Sequence, residues 1–297
     1  MKKTLCLSLA VLMLLLTSCG EEVVKKDPNE FCVVTSFYPV YVTTANIMEG
    51  AKNVRLINLT ETSPGCIHGY MLTEEDMKIL NAADLFVASG MSMEVFMEKS
   101  SFGLPQLEIL DCGEDIGREL GDEERFNPHY WMNISNAIDQ CEKIQKTLCR
   151  LDPSNAAIYE RNADAYCKKL EGLIAEAVSR LKGFGENRVV AFHESFDYFA
   201  DQFGISVAAV LTNPDGSELS SQKLSEVIKL MKENDIKIVL AEKNALESEA
   251  LQTVKKETGC TVYVIDTLVD STSKKNAVNA YIDATNFNLD TLEKALG

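Results

Sequence analysis

Apolar positions along this chain change period repeatedly. Short runs rich in β-branched and aromatic residues at Cys32–Ser36, Val54–Leu59, Leu85–Ala88 and Leu107–Leu110 predict strands. Helical patterns lie between them: Tyr41–Glu49, closed by Gly50, and a second helix opened by Thr73. There Asp76 is placed to complete a capping box, with Met77 and Leu80 on the apolar side. Residues Ile134, Ala137, Ile138, Cys141, Ile144, Leu148 and Leu151 follow at spacings of three and four, one stripe of an amphipathic helix. After the helix-start signal Asp152-Pro153-Ser154, only Gly172 interrupts the pattern before Gly183, which predicts a helix of about 28 residues and about 42 Å. The alternation then resumes, with strands at Val189–Phe192, Ile205–Val210, Ile236–Ala241 and Thr261–Ile265. Helices are predicted at Ser195–Phe203, Ser221–Glu233, Ser248–Thr258 and Ala277–Leu296, and Gly204 and Gly259 sit where C-caps belong. This pattern predicts an α/β fold of two lobes, each a parallel-type sheet flanked by helices, joined by one long connecting helix.

The start of the chain reads as an address. Lys2 and Lys3 precede an apolar run from Leu5 to Leu16, the length of a signal-peptide core and short of the ~20 residues a spanning helix needs. The run ends in Leu16-Thr17-Ser18-Cys19-Gly20, which resembles the bacterial lipobox, where the cysteine is acylated and becomes the mature N-terminus. A signal peptide with a small-residue cleavage site and an incidental cysteine is the alternative. Residues 1–18 are expected to be the lipoprotein signal peptide and 19–30 a lipidated polar tether. Residues 31–151 form the N-terminal lobe, 152–183 the connecting helix and 184–297 the C-terminal lobe.

Composition narrows the partners. A chain of 297 residues, 46% hydrophobic and 25% charged, has room for more than one core. With 45 acidic residues against 29 basic ones, its net charge of −16 repels phosphate backbones, so no nucleic acid is expected among its ligands. Nine cysteines in an exported chain suggest disulfides, and setting Cys6 and Cys19 aside leaves an odd number, so one stays unpaired. Cys141 and Cys149 are two helical turns apart and cannot bridge each other; Cys141 falls on the apolar face as a small buried hydrophobe. Cys66 and Cys112, both near loops, are weak candidates for a pair.

The chain contains only three histidines, His68, His129 and His193, and each occupies a loop or strand end. In doubly wound sheets ligands collect outside the carboxyl ends of the strands. His193 follows the strand Val189–Phe192, Asp266 follows Thr261–Ile265, and His68 follows Val54–Leu59 across Ser63-Pro64-Gly65. His129 lies in Asn127-Pro128-His129-Tyr130-Trp131, just before a helix. Three neutral imidazoles and one carboxylate suit tetrahedral Zn²⁺ and tolerate Mn²⁺. Glu194 beside His193 begins an HExxH pattern, but its fifth position is Asp197, so the two-histidine face of a zinc protease is missing.

Several motifs in order resemble one family, the metal-binding lipoprotein subunits of zinc and manganese ABC importers, the cluster A-I solute-binding proteins. They are Ser36-Phe37-Tyr38-Pro39, His68-Gly69-Tyr70, Ala82-Ala83-Asp84-Leu85-Phe86-Val87, Asn127-Pro128-His129-Tyr130-Trp131, His193-Glu194-Ser195-Phe196-Asp197 and Ile265-Asp266-Thr267-Leu268, with Glu242, Tyr281 and Asn288. The resemblance implies metal held between the lobes by His68, His129, His193 and Asp266. It further implies lipid anchoring through Cys19 at the outer face of the cytoplasmic membrane, and delivery to an ABC permease powered by a cytoplasmic ATPase. A monomer that captures metal without catalysis is expected, with a rigid strut limiting closure to a small movement. Absence of a His-rich acidic loop weakens the choice of zinc over manganese, while histidine at 193 favours zinc. Two other classes stay open: a surface-anchored zinc hydrolase, in which three ligands leave one position for water, and an adhesin with structural metal.

Overall fold

The computed structural model describes residues 29–61, 67, 69–100, 104, 106–116, 127–184, 187–269 and 277–297. Its first half runs β1 (Phe31–Thr35), α1 (Tyr38–Met48), β2 (Val54–Asn58), α2 (Glu74–Ala82), β3 (Leu85–Ala88), α3 (Val95–Ser100) and β4 (Glu108–Asp111). A 3-10 turn at Tyr130–Met132 leads into α4 (Ile134–Leu151), which forms a hairpin with α5 (Ala156–Arg180). The second half runs β5 (Arg188–Ala191), α6 (Asp197–Gln202), β6 (Ser206–Val210), α7 (Ser221–Glu233), β7 (Ile238–Glu242), α8 (Glu249–Thr258), β8 (Thr261–Ile265) and α9 (Ala277–Leu296).

Both sheets are parallel and share one strand order, β2-β1-β3-β4 and β6-β5-β7-β8. In each, the chain leaves the first strand to one side and returns on the other. The carboxyl ends of β1 and β3, and of β5 and β7, are therefore the switch points at which loops part and leave a crevice. Burial on both faces explains why the strands read as unbroken apolar runs. In β5, Val189 and Ala191 face the main core, which includes Leu289 and Leu292 of α9, while Val190 faces the opposite side with Val239, Val227, Met231 and Val254 under α7 and α8.

The sequence-predicted elements recur with shifted ends. The capping box of α2 forms as expected: Asp76 N–H donates to Thr73 Oγ1 at 3.2 Å, and the Asp76 carboxylate accepts from Thr73 N–H at 2.8 Å. The long helix starts at Ala156, later than Asp152-Pro153-Ser154 suggests, because that segment folds as its own turn. Asp152 there accepts from Asn155 Nδ2 and Tyr159 Oη at 2.7 Å each, while Asn155 also exchanges hydrogen bonds with the Lys52 backbone. Its 25 residues span about 37 Å. Helix α9 packs against α1, α5 and β8, and Arg180 of α5 grips the Glu293 carboxylate of α9 with Nε at 3.0 Å and Nη2 at 2.8 Å. The short α3 and the 3-10 turns Tyr130–Met132, Glu194–Phe196 and Lys243–Glu247 were not legible as periodicity. Cys112 is a buried free thiol and its suggested partner Cys66 lies outside the described residues, as do Cys19 and His68.

At the first switch point the turn after β3 is built around a buried acid. Glu94 accepts from Ser89 N–H at 2.7 Å and Gly90 N–H at 2.9 Å. Burial pushes its carboxyl up to about 7, against the pull of the Ser36 hydroxyl and the two amides. Gly90 has φ +88°, and a Cβ there would sit 1.7 Å from Asp111 Oδ1. Asp111 cannot yield, since Oδ1 accepts from Gly113 N–H at 2.8 Å and Glu114 N–H at 3.1 Å.

Gly90→Ala should cost about 3 kcal/mol or more, from φ strain and the clash together. Gly172→Ala, at an exposed position of α5 with open space around it, should gain about 0.5–1 kcal/mol; urea midpoints distinguish the two. Because the folded carboxyl of Glu94 titrates above its ordinary 4.5, its contribution is complete below that pH and is lost as pH rises towards 7. In Glu94→Gln the midpoint should lose this part of its slope between pH 5 and 7.

Candidate metal site

The second switch point carries His193. The strand β5 ends at Ala191, and the chain bends so that His193 caps the 3-10 turn Glu194–Phe196, its Nδ1 accepting from Ser195 N–H at 3.1 Å. On neighbouring β7 the last residue is Glu242, a buried carboxylate that accepts a hydrogen bond from the Ser195 hydroxyl. The turn Asn213-Pro214-Asp215-Gly216 folds over the ring: Gly216 N–H donates to Asn213 O at 2.9 Å, and a Cβ on Gly216, at φ +79°, would lie 3.8 Å from His193 Nε2.

His129 reaches the same place from the first half. Its side chain is fully buried, and its ring lies 4.9 Å from that of His193, centroid to centroid, at 74°. Asn127 fixes it. The Asn127 Oδ1 accepts from His129 N–H at 3.0 Å and lies 2.8 Å from His129 Nδ1, while its Nδ2 donates to Glu194 O at 2.8 Å. With Nδ2 spent on a carbonyl, Oδ1 is the acceptor, so His129 Nδ1 carries the proton and Nε2 keeps its lone pair, the tautomer a metal needs. His193 is set differently. An accepting Nδ1 puts the proton of a neutral ring on Nε2, so coordination through Nε2 requires that proton to move or leave.

Asp266 stands at the end of β8, one strand beyond β7. Asn288 on α9 holds its backbone at both ends, Oδ1 accepting from Asp266 N–H at 2.7 Å and Nδ2 donating to Asp266 O at 2.8 Å. The carboxylate Oδ1 accepts from Leu268 N–H at 2.8 Å. Trp131 links this loop to the histidines, its indole N–H donating to Thr267 O at 3.1 Å and its ring 5.2 Å from that of His129. The structure thus brings His129 and His193 together and sets Asp266 on the same edge of the sheet. Among the described residues no group of three or more His, Cys, Asp or Glu is gathered closely enough to hold a metal ion.

Spacing alone did not single out Asn127, Trp131 or Glu94. Asn127 sits two residues before His129, the one local sign of an Asx-type contact. Glu94 has no sequence sign at all, lying in an unpatterned turn.

Comparison with known proteins agrees with this architecture. Residues 33–295 match the family model described as zinc-uptake complex component A, periplasmic. The chain is 32% identical over 279 residues to the iron-binding protein YfeA of Yersinia pestis, covering 91% of this chain and 87% of that protein. It is 29% identical to the zinc-binding lipoprotein AdcA of Streptococcus pneumoniae, covering 99% of this chain but only 61% of AdcA. Among solved structures, the solute-binding protein FpvC of Pseudomonas aeruginosa with Mn²⁺ superposes at a TM-score of 0.79 and 27% identity, over 90% of this chain and 98% of that one. With a match across nearly the whole folded body, this chain belongs to the family of zinc-uptake complex component A.

Proposed function

We propose that the protein captures a divalent transition metal, zinc before manganese, at the crevice between its two halves and passes it to an ABC permease driven by a cytoplasmic ATPase. The metal is cargo. His129 and His193 form the centre of the site, with His68 and Asp266 completing four ligands. One observation carries the reading: two imidazoles from opposite halves of the chain, buried and ring to ring, with a carboxamide that fixes one of them for coordination. Relatives named for zinc and iron, and a structural neighbour holding Mn²⁺, are consistent with a first-row divalent ion. Histidine at 193 and a tetrahedral three-nitrogen, one-oxygen set favour zinc among them.

The protein is exported, with a signal peptide over 1–18 and a lipidated tether over 19–30 anchored through Cys19, and its lobes, 31–151 and 184–297, act as a monomer joined by 152–183. Among the described residues no helix is long and apolar enough to cross a membrane. Capture without catalysis follows from the family to which the chain belongs. The Ser195 hydroxyl donates to Glu242 while its backbone N–H donates to His193 Nδ1, an arrangement other than that of a serine nucleophile hydrogen-bonded to its histidine base.

Competitive titration of metal-free protein with Zn²⁺ and Mn²⁺ tests the proposal: zinc should bind at one equivalent and the more tightly. His129→Ala should weaken zinc by more than about 100-fold with little change in the unfolding midpoint, and Asn127→Ala, which frees the ring, should weaken zinc by about 10–100-fold and lower stability by about 1–3 kcal/mol. An unaltered zinc isotherm in His129→Ala would overturn the assignment. Zinc affinity should also fall below about pH 6, where imidazole ordinarily takes up a proton, with proton release on binding measured by calorimetry in buffers of different ionisation heat.

A further inference from the structure

The hairpin of α4 and α5 brings two cysteines together that sequence spacing did not pair. Cys141 lies on the inward face of α4, fully buried, and Cys167 on α5 is half-buried. The Cys149 thiol donates to Ala156 O at 3.6 Å, so α5 doubles back on α4 at once. From that contact Cys141 lies about 12 Å along one helix axis and Cys167 about 16 Å along the other, within one turn of each other. Their side chains face each other across the hairpin, near enough for each thiol to shift the titration of the other.

We infer that Cys141 and Cys167 form a disulfide that staples α4 to α5 when the protein meets a disulfide oxidant. The asymmetry of the pair assigns the roles. The neighbouring Cys141 thiol holds the Cys167 thiol below its ordinary range, whereas the Cys167 thiol and burial push the Cys141 thiol up. Cys167, the more exposed, is thus the sulfur that attacks first. Its thiolate attacks one sulfur of the oxidant, whose other sulfur leaves as a thiolate. Cys141 then gives up its proton to water and attacks the Cys167 sulfur of the mixed disulfide, and the oxidant's second thiolate departs. Two protein thiols are oxidised and one disulfide is reduced to two thiols.

The staple would fix the helix that starts directly after the His129 turn against the helix that joins the two halves. This depends only on the thiol pair and not on the metal site, so failure of one leaves the other standing. The test uses protein purified in the reduced form, equilibrated with glutathione disulfide, unfolded in an alkylating agent and mapped by mass spectrometry. A linked peptide joining Cys141 and Cys167 is expected, together with a rise of about 5 °C in the melting midpoint on oxidation. Cys167→Ala should lack both the link and the rise while binding zinc as before, which guards against loss of folding at the buried Cys141. Alkylation of both residues after equilibration, glutathione retained on Cys167, or linkage of either to a different cysteine would overturn the inference.

Discussion

A single carboxamide joins the two halves of this molecule at the place where its chemistry lies. Asn127 spends its oxygen on the backbone and ring of His129 and its nitrogen on the carbonyl of Glu194, the residue next to His193. A fully buried imidazole without such a partner would carry an unsatisfied N–H at a cost of about 1–3 kcal/mol. With it, burial, tautomer and the approach of the two rings are settled together. The Tyr198 hydroxyl, which donates to Asn127 O at 2.9 Å, holds the amide's own backbone from the second half.

The two sheets repeat one topology but fill their switch points differently. In the first, Glu94 sits among backbone amides and serines and is buried so completely that its carboxyl resists ionisation. In the second, the same position in the fold offers a histidine and a carboxylate braced by Ser195. Equivalent crevices have thus been given unequal work: one acid fastens a turn, while the other edge presents nitrogen. The Ser89 carbonyl, which accepts from the Tyr130 hydroxyl at 2.9 Å, carries the braced turn of the first sheet to the residue beside His129.

Much of this was legible in the sequence. Every strand was placed to within two residues at either end, and Ser221–Glu233, Thr261–Ile265 and Ala277–Leu296 were placed without error, because period and punctuation agree there. The α4 stripe was legible for the same reason, all its seven positions being apolar at helical spacing. What escaped were contacts between residues far apart in the chain. Nothing in the spacing of Cys141 and Cys167 shows that the hairpin brings them together, and the acceptance of the Ser89 and Gly90 amides by Glu94 is a feature of the folded turn after β3. The candidate metal ligands follow from strand ends and family resemblance; the structure adds the mutual approach of His129 and His193, and an accepting Nδ1 on His193 whose neutral ring carries its proton on Nε2.

Helix α9 has a consequence for how the crevice can work. It is last in sequence, yet it lies against α1 of the first half and β8 of the second, and is gripped by Arg180 of the connecting helix. Through Asn288 it also clasps the backbone of Asp266. Parting the two sheets therefore drags on the very loop that presents this carboxylate. Any parting of the two sheets would therefore shear this helix past its neighbours, and the stiffness of that packing would resist it.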